Sequence, residues 1–310
     1  MTWTPDDIPD LTGRRAVITG VTGGLGLATA IELARHGAEL VVTARDTDKA
    51  TGAVEQITAA VPEAFIDIVS LDLADLTDVR RAADEVATTY DRIDILVNNA
   101  GIMAPPKRTT ADGFELQIGT NHLGHFAWTA TLWPVLKRSE ARIVTVSSLA
   151  HTRAHSIDLR SVTSQGSPRR YSRWRSYSES KLANLSFALE LDRRAKAAGL
   201  AVTSVGAHPG ISSTNLTKTG VGMSGNPLSG IAMHQLTRVI SQSAEAGAQP
   251  LLMAATDPSL TGGEYIGPRS LGGTRGRPAQ VSTSASAHNE ALATTLWQAS
   301  ESATGVSFDV

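Results

Sequence analysis

The chain has 310 residues, 41% of them hydrophobic and 19% charged, which excludes a disordered or fibrous protein and leaves ample apolar side chain for a buried core. A formal net charge of -2 gives no general attraction to nucleic acid or to an anionic membrane. The absence of cysteine removes disulfides, thiolate metal sites and a thiol nucleophile together, and is compatible with the cytosol.

Met1 to Asp10 carries three aspartates and no apolar run, so it reads as neither a secretory signal nor a membrane anchor, and a cytoplasmic location is expected. Short β-branched runs then recur at Ala16 to Thr19, Leu40 to Ala44, Phe65 to Ser70, Ile93 to Val97, Arg142 to Ser147 and Ala201 to Ala207. Helical patterns start between them near Gly24, Asp46, Asp75, Thr110 and Tyr177. A helix over Ala244 to Ala255 and a short strand at Gly263 to Ile266 complete the alternation. It predicts an α/β fold: one doubly wound parallel sheet of about seven strands in a single domain, residues 1–310. Residues 151–176, 211–230 and 267–287 break the rhythm and are expected as loops, followed by a last helix at Asn289 to Ala299 within a C-terminal tail, 267–310. In an open sheet of this kind ligands bind beyond the carboxyl ends of the strands, where the first two loops begin.

After the first strand comes Gly20-Val21-Thr22-Gly23-Gly24-Leu25-Gly26, then a helix. Glycines here let backbone N–H groups approach a pyrophosphate, whose charge is held at the positive end of the helix. At the end of the second strand, where a carboxylate would accept from a ribose 2′-hydroxyl, stands Arg45, which suits a 2′-phosphate and points to NADP(H) rather than NAD(H). A solvent-facing arginine paired with Asp46 is the plainer alternative.

A tyrosine becomes usable as an acid and base near neutral pH when a cation lies close, and residues four apart share a helix face, so Tyr177 and Lys181 form a candidate pair. Tyr90, Tyr171 and Tyr265 have no lysine in that register. The strand ending in Val146-Ser147-Ser148 brings a hydroxyl to the same end of the sheet.

The Gly-x-x-x-Gly-x-Gly spacing, Asn98-Asn99-Ala100-Gly101, Asn121, Ser148, Tyr177-x-x-x-Lys181 and Pro209-Gly210 together resemble the classical short-chain dehydrogenase/reductase family, over residues 14–266. Asn121-His122-Leu123-Gly124-His125-Phe126 and the long segment before the tyrosine look most like its retinol-dehydrogenase-like members. The resemblance implies Tyr177 as acid/base, Lys181 lowering its pKa and holding the ribose, Ser148 binding the substrate oxygen while Ser147 packs inward, and Asn121 in a proton relay. It also implies a cofactor cleft formed by Gly20, Thr22, Gly24, Leu25, Gly26, Arg45, Asp72, Leu73, Asn99, Ala100, Gly101, Tyr177, Lys181, Pro209, Gly210 and Thr214. Asp72 would meet the adenine and Thr214 the nicotinamide amide. One departure stands out: 29 positions separate Ser148 from Tyr177, about twice the separation in the simplest family members, so a segment must loop out and return. Its arginines (153, 160, 169, 170, 173 and 175) outnumber its single acid, Asp158, and read as a solvated flap or a site for an anionic group.

These readings converge on an NADP(H)-dependent oxidoreductase interconverting a carbonyl and an alcohol. Ile102, Met103, Leu149 and the Leu216 to Ile240 segment predict an apolar small-molecule substrate. A catalytically silent NADP(H)-sensing binding protein is the alternative, against which the full set of proton-transfer residues argues. A sugar-nucleotide epimerase is disfavoured by the glycine spacing. His122 and His125 lack a third ligand, so no metal is expected and both are assigned to the core or the cleft wall. Pairing through the helices near Thr110 and Tyr177 would give a homo-oligomer, although those apolar faces serve internal packing equally well.

Overall fold

A computed structural model describes residues 3–163, 169–211 and 242–310. Its centre is one sheet of eight strands in the order β3-β2-β1-β4-β5-β6-β7-β8: β1 Arg15–Thr19, β2 Glu39–Ala44, β3 Ile66–Ser70, β4 Ile95–Asn98, β5 Arg142–Val146, β6 Thr203–Ala207, β7 Tyr265–Ser270 and β8 Arg275–Gln280. The first seven run parallel and β8 returns antiparallel on β7, with Gly267 opposite Ala279. The order reverses between β1 and β4, which opens a crevice at the carboxyl edge of the sheet. Central strands such as Ile95–Asn98 are buried along their whole length, so both faces are covered and apolar residues run on without alternation.

Helices α1 Gly24–Arg35, α2 Thr47–Ala60, α3 Leu76–Thr89, α4 Gly124–Arg138, α5 Arg173–Ala197, α6 Ala244–Thr256 and α7 Glu290–Thr304 flank the sheet. Several starts are set by side-chain caps. The Asp75 carboxylate accepts from the N–H groups of Thr77 and Asp78, and Asn289 from Leu292. Two apolar cores result. One holds α1 and α6 against one face of the sheet, and the other holds α3, α4, α5 and α7 against the opposite face.

Some expectations need correction. The loop assigned to 267–287 contains the end of β7 and all of β8, so the sheet has an eighth strand. Arg-Gly-Arg-Pro-Ala-Gln has little β propensity of its own; its strand conformation comes from pairing with β7 at the sheet edge, where proline and charge are tolerated. The helix placed near Tyr177 begins a turn earlier at Arg173, so Arg173 and Arg175 are helical. The helix placed near Thr110 is delayed to Leu116 by a turn in which the Thr110 N–H donates to the Phe114 carbonyl. The C-terminal segment carries the expected last helix and is packed against the core: Trp297 and Phe308 pack with Phe126 and Phe187, and the Trp133 indole donates to the Asp309 carbonyl. Among the described residues no helix is long and apolar enough to cross a membrane.

Candidate active site

The glycine segment turns tightly between β1 and α1, with Gly20 at φ 76° and Gly24 at φ 60°. Gly26 allows the helix to lie against the turn, because a Cβ there would collide with the Gly20 carbonyl oxygen. Asn99 is tied to the glycine turn. Its amide donates to the carbonyls of Thr19 (2.8 Å) and Gly20 (3.1 Å), so its side chain braces the glycine turn. The Thr19 hydroxyl accepts from the N–H groups of Asn99 and Ala100, both at 3.0 Å, and its own proton is therefore left for His125 Nε2 at 2.9 Å. That fixes the imidazole as the Nδ1–H tautomer, which donates to the Asn121 carbonyl at 3.0 Å. Burial pushes His125 down to about 4, in keeping with a neutral ring.

Thr22 is exposed at the turn and Leu25 is buried at the start of α1. Leu73 lies close over Gly124, where a Cβ would strike its carbonyl oxygen. Arg45 leaves the end of β2 with 75% of its side chain exposed, its guanidinium 3.9 Å from Asp72. Asp46, considered as its partner, instead caps α2 and pairs with Lys49 at 2.7 Å. The other Asp72 oxygen accepts from the Ala74 N–H. Gly210 adopts φ 68° after Pro209, whose carbonyl accepts from Gln242. Thr214 and Leu216 to Ile240 lie outside the described residues.

Tyr177 and Lys181 face the same side of α5, the ammonium 6.0 Å from the ring centre, and both are buried. Lys181 Nζ donates to the Val146 carbonyl at 3.0 Å, and burial pushes its pKa down to about 8. Burial also raises the Tyr177 phenol above its ordinary value, while a hydrogen bond from the Ser148 hydroxyl pulls the other way. The lysine was expected to lower the phenol's pKa; in the protein alone, burial and Ser148 set the shift. Ser147 turns inward and donates to the Lys181 carbonyl at 2.7 Å.

Asn121 sits in a π turn, Gly119–Leu123, that interrupts the helical path into α4. Its side chain bonds both backbone groups of Ile102 and donates to Ser180. A Cβ built on Gly101 would lie 3.1 Å from Asn121 Oδ1 and 3.5 Å from Lys181 Nζ, so the three residues converge. Serine, tyrosine, lysine and asparagine from the turn after β5, from α5 and from the π turn thus meet at the carboxyl edge of the sheet. Such a group can hold an oxygen and pass it a proton.

Around this point the surface is apolar. Trp174, 48% exposed, meets the Tyr177 ring edge-on at 6.2 Å. Half-buried Leu149 adjoins Ser148 and lies against the β7–β8 turn at Gly273. The Leu271 side chain is exposed in that turn. Three of the loop arginines are held by acids: Arg160 and Arg169 lie 3.4 and 3.3 Å from Asp158, and Arg169 and Arg175 lie 3.8 and 3.9 Å from Glu179. The described residues before Tyr177 are therefore tethered at their arginines, and the Tyr171 hydroxyl adds a bond to the Pro105 carbonyl.

Spacing along the chain could not show that His151, Tyr265 and His208 form one buried group. Tyr265 meets His151 edge-on at 5.3 Å and His208 at 5.0 Å, and a Cβ on Gly267 would strike the His208 ring. Burial pushes His208 down to about 4. His122, fully buried, bonds Ser300 on α7, and no metal-ligating group occurs among the described residues.

The short chain dehydrogenase family model matches residues 14–157. Retinol dehydrogenase 13 of Homo sapiens is 37% identical over 257 residues, 82% of this chain and 76% of that protein. Retinol dehydrogenase 11 of Mus musculus is 36% identical over 303 residues, 96% and 89% of the two chains. A solved structure of a protein from Mycobacterium Paratuberculosis superposes with a TM-score of 0.82 at 42% identity, covering all of both chains. With this similarity and this fold, the chain belongs to the short-chain dehydrogenase family, enzymes that oxidise or reduce small molecules with a nicotinamide dinucleotide, and has retinol-dehydrogenase-like relatives.

Proposed function

We propose that the protein is an NADP(H)-dependent carbonyl reductase, or the reverse alcohol dehydrogenase, acting on an apolar substrate. The observation that carries this reading is the buried Tyr177 phenol and the buried Lys181 ammonium on one face of α5, 6.0 Å from ring centre to Nζ, with Ser148 neighbouring the phenol. Bound in the crevice, the reduced nicotinamide supplies hydride to the carbonyl carbon. Ser148 binds the carbonyl oxygen, and Tyr177 gives that oxygen its proton as negative charge develops. A phenol whose pKa is raised by burial is protonated at neutral pH, which suits the reductive direction. Lys181 would hold the ribose hydroxyls, and a water held by Asn121 would pass a solvent proton through Lys181 back to the phenolate.

The glycine turn and the start of α1 hold the pyrophosphate. Support for NADP(H) comes from the exposed Arg45 guanidinium at the end of β2 and from Asp46 being turned into a helix cap. Support for an apolar substrate comes from Trp174, Leu149, Leu271 and the half-buried Ile102 and Met103 near the site. We place the enzyme in the cytoplasm. The test is a panel of aldehydes and ketones followed by NADPH and NADH absorbance, run beside Tyr177→Phe. Turnover of apolar carbonyls with NADPH that the variant loses is expected. Preference for small polyols, or NADH bound as tightly as NADPH, would defeat the corresponding part.

A further inference from the structure

Ser148 has to hold a substrate oxygen within hydrogen-bond range of Tyr177, yet it ends a strand and opens a loop. A tight 3₁₀ turn, Leu149–Arg153, brings His151 back over it. The His151 Nδ1–H donates to the Ser148 carbonyl at 2.7 Å, and the His151 backbone N–H donates to the same oxygen at 3.0 Å. On the far side of the ring, Nε2 accepts from the Ser284 N–H at 3.3 Å. Each nitrogen thus has a partner of fixed polarity, so one neutral tautomer is imposed. The Tyr265 hydroxyl lies 3.5 Å from Nδ1, but that proton is committed to the nearer Ser148 carbonyl, and Ser147 also neighbours the hydroxyl. Ser147 in turn donates to the Lys181 carbonyl.

The two serines are therefore clamped: Ser147 by its side chain, Ser148 by its carbonyl. The Ser148 hydroxyl accepts from the Ala150 N–H at 3.2 Å and neighbours Tyr177. We propose that His151 is a positioning residue that fixes the Ser148 hydroxyl for proton transfer at Tyr177, anchored through Ser284 to the segment after β8. The inference rests on the oxidoreductase reading above. A misplacement of about 1 Å in such a constellation costs on the order of 100-fold in rate.

The test uses the full chain with NADPH and whichever aldehyde from hexanal to decanal is turned over fastest. His151→Phe keeps a ring against Tyr265 and the backbone N–H bond to the Ser148 carbonyl but loses the two imidazole bonds, to that carbonyl and from Ser284. We expect kcat to fall roughly 10- to 100-fold with the NADPH Kd unchanged, and His151→Asn, which keeps a donor at the δ position, to recover most of the loss. The deciding measurement is a double-mutant cycle: in a Ser148→Ala background His151→Phe has little further effect if it acts through Ser148. If His151→Phe does not fold, the cycle is run with Ser284→Pro, which removes the N–H at a φ of -73° that proline accepts. Equal losses in both backgrounds, or a His151→Asn as slow as the phenylalanine variant, overturn the inference while leaving the oxidoreductase reading intact. A wild-type enzyme inert across the whole aldehyde panel removes that reading and this inference with it.

Discussion

Lys181 points its ammonium at the Val146 carbonyl, 3.0 Å away, and this one contact holds a buried cation one helical turn beyond Tyr177. The same carbonyl accepts from Asn184 at 3.1 Å, so it would keep a partner without the lysine. The cation is thus maintained against its desolvation cost by few bonds, an arrangement that serves function better than stability.

Lys181→Met is accordingly expected to raise stability while abolishing turnover. Bringing an amine from 10.5 down to about 8 corresponds to roughly 3 kcal/mol, an upper bound on the gain at neutral pH. The sign is fixed by linkage: the folded state disfavours the charged form, so the cost is present below about 8 and relieved as pH rises towards 10.5. Denaturant melts at pH 7 and pH 10 check this. A variant less stable than wild type at pH 7 would contradict it.

Tyr177→Phe should lower kcat roughly 100- to 10,000-fold, the usual worth of a positioned acid/base. The NADPH Kd should stay within a few fold, because the phenol hydroxyl acts on the substrate oxygen. Stopped-flow turnover beside fluorescence titration separates the two effects.

Arg45→Ala tests the cofactor preference. The side chain is largely exposed, so its contact with a 2′-phosphate is screened, and a loss of about 10-fold in NADPH affinity is expected with NADH little changed. An unchanged ratio of the two dissociation constants would assign Arg45 to solvent.

Gly26→Ala should destroy dinucleotide binding with a folded sheet retained. The new methyl collides with the Gly20 carbonyl, so the turn that presents its N–H groups must shift. Circular dichroism and NADPH titration on the same sample check both halves.

Acid should destabilise the fold through its buried imidazoles. His122, His125 and His208 are pushed by burial to about 3, 4 and 4, below the ordinary 6.5. The unfolded chain takes up protons at these groups first, so stability is full above 6.5 and falls as pH drops towards 4. His125→Asn should shallow the slope of Tm against pH in that window.

The parallel sheet was legible because its strands are continuous apolar runs between turn residues, and the dinucleotide crevice because glycines follow one such run. Tyr177 and Lys181 could be paired from spacing, since four residues along a helix return to one face whatever surrounds it. Strand β8 could not be found this way: Arg275 to Gln280 is extended only because β7 offers it an edge. The same holds for His151, Tyr265 and His208, which stand 57 or more positions apart and meet only once β5, β6 and β7 lie side by side. Local order along the chain therefore determined the sheet, the crevice and the proton-carrying pair, because short-range periodicity and turn chemistry are written residue by residue. Which hydroxyl is clamped, which imidazole is neutral and which asparagine braces a turn were decided by tertiary contacts, because hydrogen-bond partners and burial exist only after distant strands have packed.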